Sequence, residues 1–171
     1  MVDINDEFAH AFGNVVHQSA NFETGLKITL AGILDIRPRQ VLILVEPYSA
    51  PKLRGVLKSI ARQSAWPEGA LEELVGLIGQ GKAHIPLRNH IAHSRWTEGV
   101  RQNSIKPIGL KINNENVAYF GNDDEERDWL AEEIAIAGNE LRMVCERLTA
   151  FNDKFGLTDK IAAHLDANEQ P

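Results

Sequence analysis

Apolar residues recur at steps of three and four along the first stretch of the chain. Phe8, Phe12, Val15, Val16, Ser19, Phe22, Leu26, Leu30 and Ile33 fall on one stripe of a helix running from about Ile4 to Leu34. Gly13, Gly25 and Gly32 lower its intrinsic propensity, so packing must supply much of its stability. After Pro38 comes the apolar run Val41-Leu42-Ile43-Leu44-Val45, which fits a buried strand or a short helix. Helical segments on both sides favour the helix. Ser49 and Pro51 then mark a helix start, a hydroxyl cap with a proline in the first turn. That segment, to about Arg62, buries Leu53, Val56, Leu57 and Ile60. Arg54, Lys58 and Arg62 repeat every four residues as a basic stripe on its outer side. The next helix begins near Pro67, turns Leu71, Leu74, Val75 and Ile78 inward, and ends at Gly79 and Gly81 as C-cap glycines.

Between Trp96 and Gly121 the pattern changes. Ile105, Ile108, Leu110 and Ile112 precede Asn113-Asn114, and Val117, Tyr119 and Phe120 follow. Alternating apolar residues around turn-forming asparagines predict a β-hairpin, with Pro107 placing its strand at an edge. Asp123 or Asp124 caps a long final helix whose first turn, Asp124-Glu125-Glu126, suits the positive end of the dipole. Trp129, Leu130, Ile134, Leu141, Val144, Cys145, Leu148 and Phe151 give it an apolar face. A short helix from Leu157 to Leu165 closes the fold, with a frayed end from Ala167. The expected fold class is mainly α, a helical bundle with a small β-hairpin between the motif helix and the last long helix. At 171 residues it fits a single domain spanning 1–171.

Composition narrows the class. Apolar residues reach 43%, enough for a core, yet no run approaches the roughly 18 needed to span a bilayer. The beginning, MVDINDEFAH, is acidic and lacks the basic-then-apolar pattern of a secretion signal. Cys145 is the single cysteine, so no intrachain disulfide forms and a reducing, cytoplasmic setting is expected, with no membrane partner. The net charge of −6 is unevenly spread. From Arg37 to Lys111 there are 12 basic and 5 acidic residues, against 6 and 19 in the remainder. A basic middle between acidic flanks suits an anionic partner, and uneven helical surfaces also arise without one.

The candidate chemistry sits in Leu87-Arg88-Asn89-His90-Ile91-Ala92-His93-Ser94-Arg95-Trp96. A helix starting at or near Pro86 puts Arg88 in the first turn, where guanidinium and unpaired backbone N–H groups face the same anion. Asn89 and His93, four apart, share a face. Arg88 and His93, five apart, are separated by about 140° around the helix. One helix aims them poorly at a single point; two copies packed antiparallel about a twofold axis do better.

These residues resemble the motif of the HEPN superfamily (higher eukaryotes and prokaryotes nucleotide-binding): an arginine, four to six residues, then a histidine, often with asparagine after the arginine. Arg88-Asn89-His90-Ile91-Ala92-His93 is similar to that pattern with four intervening residues, and Ala92 before the histidine is also common there. The order of helices is similar as well. The resemblance implies a homodimer through the motif helices. It also implies a metal-independent endoribonuclease, a possible toxin or defence effector with RNA as substrate and an antitoxin or other protein as partner. His93 would then move the proton, Arg88 hold the scissile phosphate, and Asn89 orient the histidine or the phosphate. His90, Arg95, Arg54, Lys58 and Arg62 are the further candidate RNA contacts. The alternative is a non-catalytic HEPN-type module that binds a nucleotide, RNA or protein.

Each residue also has a plainer role. His93 can anchor the loop to Trp96, Asn89 can bond a nearby backbone group, and the Arg54, Lys58, Arg62 stripe can be a solvated face. His84, His90 and His93 suggest a three-histidine site, but no HExxH, paired cysteine or carboxylate loop accompanies them, so no metal and no cofactor is expected. Neither GxGxxG nor a P-loop lysine is present, and Ser94 lacks a hydrolase elbow. Some HEPN proteins carry a tyrosine two residues after the histidine as a modification site; Arg95 stands there.

Overall fold

The computed structural model describes residues 4–113, 116–120 and 127–166. Helix α1 spans Asp6–Leu34, α2 Pro38–Val45, α3 Ala50–Gln63, α4 Ala70–Ala83 and α5 Ile85–His93. Strands β1 (Arg95–Glu98), β2 (Ile105–Asn113) and β3 (Asn116–Phe120) follow, then α6 (Ala131–Lys154) and α7 (Leu157–Asp166). The fold is mainly α with a small antiparallel hairpin ahead of the long α6, as the hydrophobic pattern predicts. Among the described residues no helix is long and apolar enough to cross a membrane.

The chain groups into two compact units. One comprises the chain to Ser19 and Ala83–Leu141; the other comprises Ala20–Lys82 and the chain from Arg142. In the first unit, Phe8, Ala11 and Val15 of α1 pack with Leu87 of α5, Trp96 of β1, Ile105 of β2, and Ile134 and Ala137 of α6. Asn5 opens α1 by accepting the Phe8 backbone N–H at 3.1 Å, an N-cap bond. In the second unit Phe22, Leu26, Leu30, Leu57, Leu74, Ile78, Leu148 and Phe151 are buried. Trp66 joins that core edge-on to Phe155 and donates its indole N–H to the Ala61 carbonyl at 2.6 Å.

Several features differ from the sequence expectation. Helix α4 starts at Ala70, after Gly69 at φ +77°, and it continues through Gly79 and Gly81 to Ala83. Gly81 is a packing residue: a Cβ there would overlap the Phe22 ring. Ser49 is the N-cap of α3, yet its hydroxyl makes no cap bond. Val16 is exposed although it falls on the apolar stripe of α1.

Strand β2 lies between β1 and β3 and so is not an edge strand. Trp96 stands opposite Pro107, and Gly109 opposite Phe120. Ile105 exchanges both backbone bonds with Trp129, at 2.9 and 2.7 Å. Alternation then turns the Pro107 nitrogen away from β1, so the missing N–H removes no bond to that strand. That Trp129 bridge holds the chain extended, so α6 begins only at Ala131, with Glu132 and Glu133 in its first turn. The expected cap at Asp123 or Asp124, with Glu125 and Glu126, and the expected fraying from Ala167 lie outside the described residues.

Candidate functional site

A single residue, His84, separates α4 from α5. Pro86 occupies the first turn of α5, where its missing N–H is harmless. Leu87 is the one fully buried residue of this helix and fixes it to the first unit's core, with Ile91 half-buried beside the same cluster. The polar residues face outward: Arg88 is half-buried, while Asn89 and His93 are exposed. The helix needs the motif's polar side chains for none of its core packing.

Arg88 Nη1 donates to Asn89 Oδ1 at 3.3 Å. This contact is long and exposed, and it leaves most of the guanidinium fork available to a phosphate. The Arg88 backbone N–H is already used, donating to the His84 carbonyl at 3.1 Å. With α5 starting at Ile85, the Arg88 N–H is therefore not among the unpaired N–H groups of the first turn. His93 closes the helix, and the Ser94 N–H donates to the His90 carbonyl at 2.9 Å. With Arg88 and His93 about 140° apart, one copy of α5 presents them to different directions.

The other histidines are engaged elsewhere. His84 Nε2 lies 3.8 Å from Glu140 Oε2, and His90 Nδ1 is 3.3 Å from Ser94 Oγ. Among the described residues no group of three His, Cys, Asp or Glu side chains is placed to hold a metal. Arg95 is exposed on β1, directly beyond the motif helix. Trp96, next in sequence, is buried against Phe12 with ring centroids 4.9 Å apart, and its indole N–H has no hydrogen-bond partner among the described residues.

The expected basic stripe on α3 is broken. Arg54 is only 7% exposed and belongs to the second unit's interior, whereas Lys58 is half-buried and Arg62 exposed. Burial lowers the Arg54 pKa, and the nearby Glu23 carboxylate opposes that shift. Arg54 is thus withdrawn from the outer face of α3.

Periodicity gave no sign of a polar centre in the first unit. Asp128 Oδ2 accepts the backbone N–H groups of Val100 and Arg101, both at 2.9 Å, and the Ser104 hydroxyl at 2.7 Å. Arg101 bridges Asp128 Oδ1 at 3.0 Å and Glu133 Oε2 at 2.7 Å. The backbone N–H of Arg101 and the Ser104 hydroxyl hold the Asp128 carboxyl well below the usual range. The Arg101 guanidinium pulls Glu133 down to about 2. The Glu133 and Asp128 carboxylates in turn raise Arg101. Beside this network lies a cavity of about 880 Å³ whose polar lining includes Asn5, Glu7, Glu98, Arg101, Asn103 and Glu132; no residue of α5 borders it. These residues are far apart in sequence, and no local pattern joins them.

Compared with protein-family models, curated proteins and solved structures, the chain finds no match in any of the three. The chemistry of this surface is therefore argued from its own side chains.

Proposed function

We propose that the outer face of α5 is the catalytic surface of a metal-independent endoribonuclease of HEPN type, acting as a homodimer through paired motif helices. The observation that carries this reading is the outward placement of Arg88, Asn89 and His93 on a helix anchored by Leu87. Residues kept for a fold are normally consumed by it; Asn89 and His93 are left to solvent, and Arg88 is only half-buried.

RNA cleavage of this class needs a base for the 2′-hydroxyl proton, an acid for the departing 5′-oxygen and a cation for the phosphorane. The 2′-oxygen bonds to phosphorus and the P–O5′ bond breaks, giving a 2′,3′-cyclic phosphate and a 5′-hydroxyl. His93 handles the proton, since imidazole titrates near neutrality. Arg88 holds the phosphate oxygens with a permanently charged planar fork, and Asn89 steadies Arg88. Because these groups diverge around one helix, the reading requires two antiparallel copies of α5 to share one groove. Arg95, on the adjoining strand, supplies a further backbone contact.

The test is incubation of the purified protein with mixed RNAs in excess chelator, followed by end-group analysis. Cyclic-phosphate ends that disappear with Arg88→Ala and with His93→Ala are expected. Cleavage that both variants retain, or that requires Mg²⁺, overturns the assignment. RNA retained intact and released by salt would instead identify a non-catalytic binding module.

A further inference from the structure

Helix α2 is apolar on both sides. Val41 and Val45, four apart, are buried in the second unit, while Leu42, Ile43 and Leu44 are 51%, 72% and 57% exposed. Three consecutive exposed aliphatic residues on a two-turn helix exceed the scattered apolar residues usual on a surface. The charges around them are also arranged against the helix's own field. Arg37 and Arg39 stand at the positive N-terminal end, and Glu46 caps the negative C-terminal end. No described residue forms an ion pair with Arg39 or Glu46 in the structure; the ion pairs seen among described residues lie elsewhere.

We infer that α2 is a self-association surface that takes a second copy of this chain, packed antiparallel across a twofold axis. Arg39, Ile43 and Glu46 are four and three apart and share one stripe, with Leu42 alongside. Arg39 and Glu46 are equally distant from the midpoint between Leu42 and Ile43. A twofold axis through that midpoint sets Arg39 beside the partner's Glu46, and Leu42 against the partner's Ile43. The same surface is thereby complementary to itself, as an isologous contact requires. Each misplaced charge then faces the end of the partner helix that favours it. Gln40 is used at home, accepting the Arg37 backbone N–H at 3.1 Å, so the N-terminal turn is held in place for the contact. Two such short helices bury less than the roughly 1,200 Å² of a standard interface, so the association is weak and concentration-dependent.

This inference is independent of the reading of α5. Sedimentation velocity of the full chain over about a hundredfold range of concentration tests it. Ile43→Asp should remove one association step. R39E and E46R should each weaken that step roughly tenfold or more, while R39E/E46R restores it by exchanging the two signs. Unchanged helical circular dichroism is expected for all four, because the altered side chains are exposed. A wild-type mass that does not rise with concentration overturns the inference, as does an oligomer that survives Ile43→Asp unchanged. So does a double reversal that associates no better than the single ones. Binding of monomers to phosphatidylcholine vesicles through Ile43, with no self-association, would assign the face to a lipid surface instead.

Discussion

Gly81 of α4 lies so close to the ring of Phe22 that a methyl group at position 81 would overlap three of its carbons. Both residues are buried in the same unit, and the ring stands within the packed core. Gly81→Ala gains helix propensity of about 1 kcal/mol, but overpacking costs typically 1–3 kcal/mol. The clash should win because a Phe ring in a close-packed interior has little room to turn. A lower urea midpoint with an unchanged slope is the expected result. Phe22→Leu in the Gly81→Ala background should recover part of the loss.

That glycine also marks the limit of what local pattern can disclose. A helix-ending glycine and a helix-packing glycine look alike in sequence; the ring that distinguishes them lies far away at position 22. The α1, α3 and α7 boundaries were legible because each rests on nearby cues such as stripes of apolar residues, Ser49 and Pro51, whereas for α2 only the helical character was read. Arg54 was misplaced for a geometric reason. A four-residue step advances about 40° beyond a full turn, so Arg54, Lys58 and Arg62 drift around α3, and the first rotates inward beside Leu53 and Leu57. The start of α6 depends on Trp129 bridging to Ile105, a pairing across the chain that no acidic run announces. That Arg88, Asn89 and His93 share one short helix was legible, since Pro86 marks its start and their spacing fits within it. The Arg101–Asp128–Glu133 centre was not, because a loop, an extended segment and a helix supply it.

Acid should dissolve that centre in a defined window. The Glu133 carboxyl has a folded pKa of about 2 against an ordinary 4.5, and the Asp128 carboxyl is depressed too. A depressed carboxylate adds stability that is fully present above its unfolded pKa and lost as pH falls through the folded one. The contribution therefore fades between about pH 4.5 and pH 2. Arg101 is substantially exposed, so solvent screening keeps the effect modest. Thermal melts across this window should show a steeper acid limb for the wild type than for Glu133→Gln. The variant should start from a lower Tm at neutral pH. Parallel curves for the two proteins would contradict the assignment.

In the second unit, the Thr29 hydroxyl lies 2.9 Å from both the Gly25 carbonyl and the Asn152 side-chain oxygen. A hydroxyl has one proton and cannot donate to both acceptors. The consistent network has Thr29 donating to Gly25 and the Asn152 amide turned so that its NH₂ donates to Thr29. Both side chains are buried, so Thr29→Val should strand the amide and cost about 1–3 kcal/mol. Asn152→Asp should be worse near neutrality, because a carboxylate brings no donor to the pair. Denaturant titrations of T29V, N152L and the T29V/N152L double variant measure the coupling; the double should lose less than the singles combined.

The bond from Arg88 to Asn89 gives the proposed chemistry a graded test. At 3.3 Å between exposed groups it steadies the guanidinium without neutralising it. Asn89→Ala frees the arginine to wander, and cleavage should fall roughly tenfold through the entropy of positioning. Asn89→Asp does something different. Its carboxylate pairs tightly with Arg88, cancels the charge intended for phosphate and repels the phosphorane, so the loss should approach about a hundredfold. Neither change should move stability by more than about 0.5 kcal/mol, since position 89 is exposed. Cleavage rates ordered Asn, then Ala, then Asp, at equal Tm, are the expected outcome. An Asp variant as active as the Ala variant would mean that the Arg88 charge does not meet the scissile phosphate.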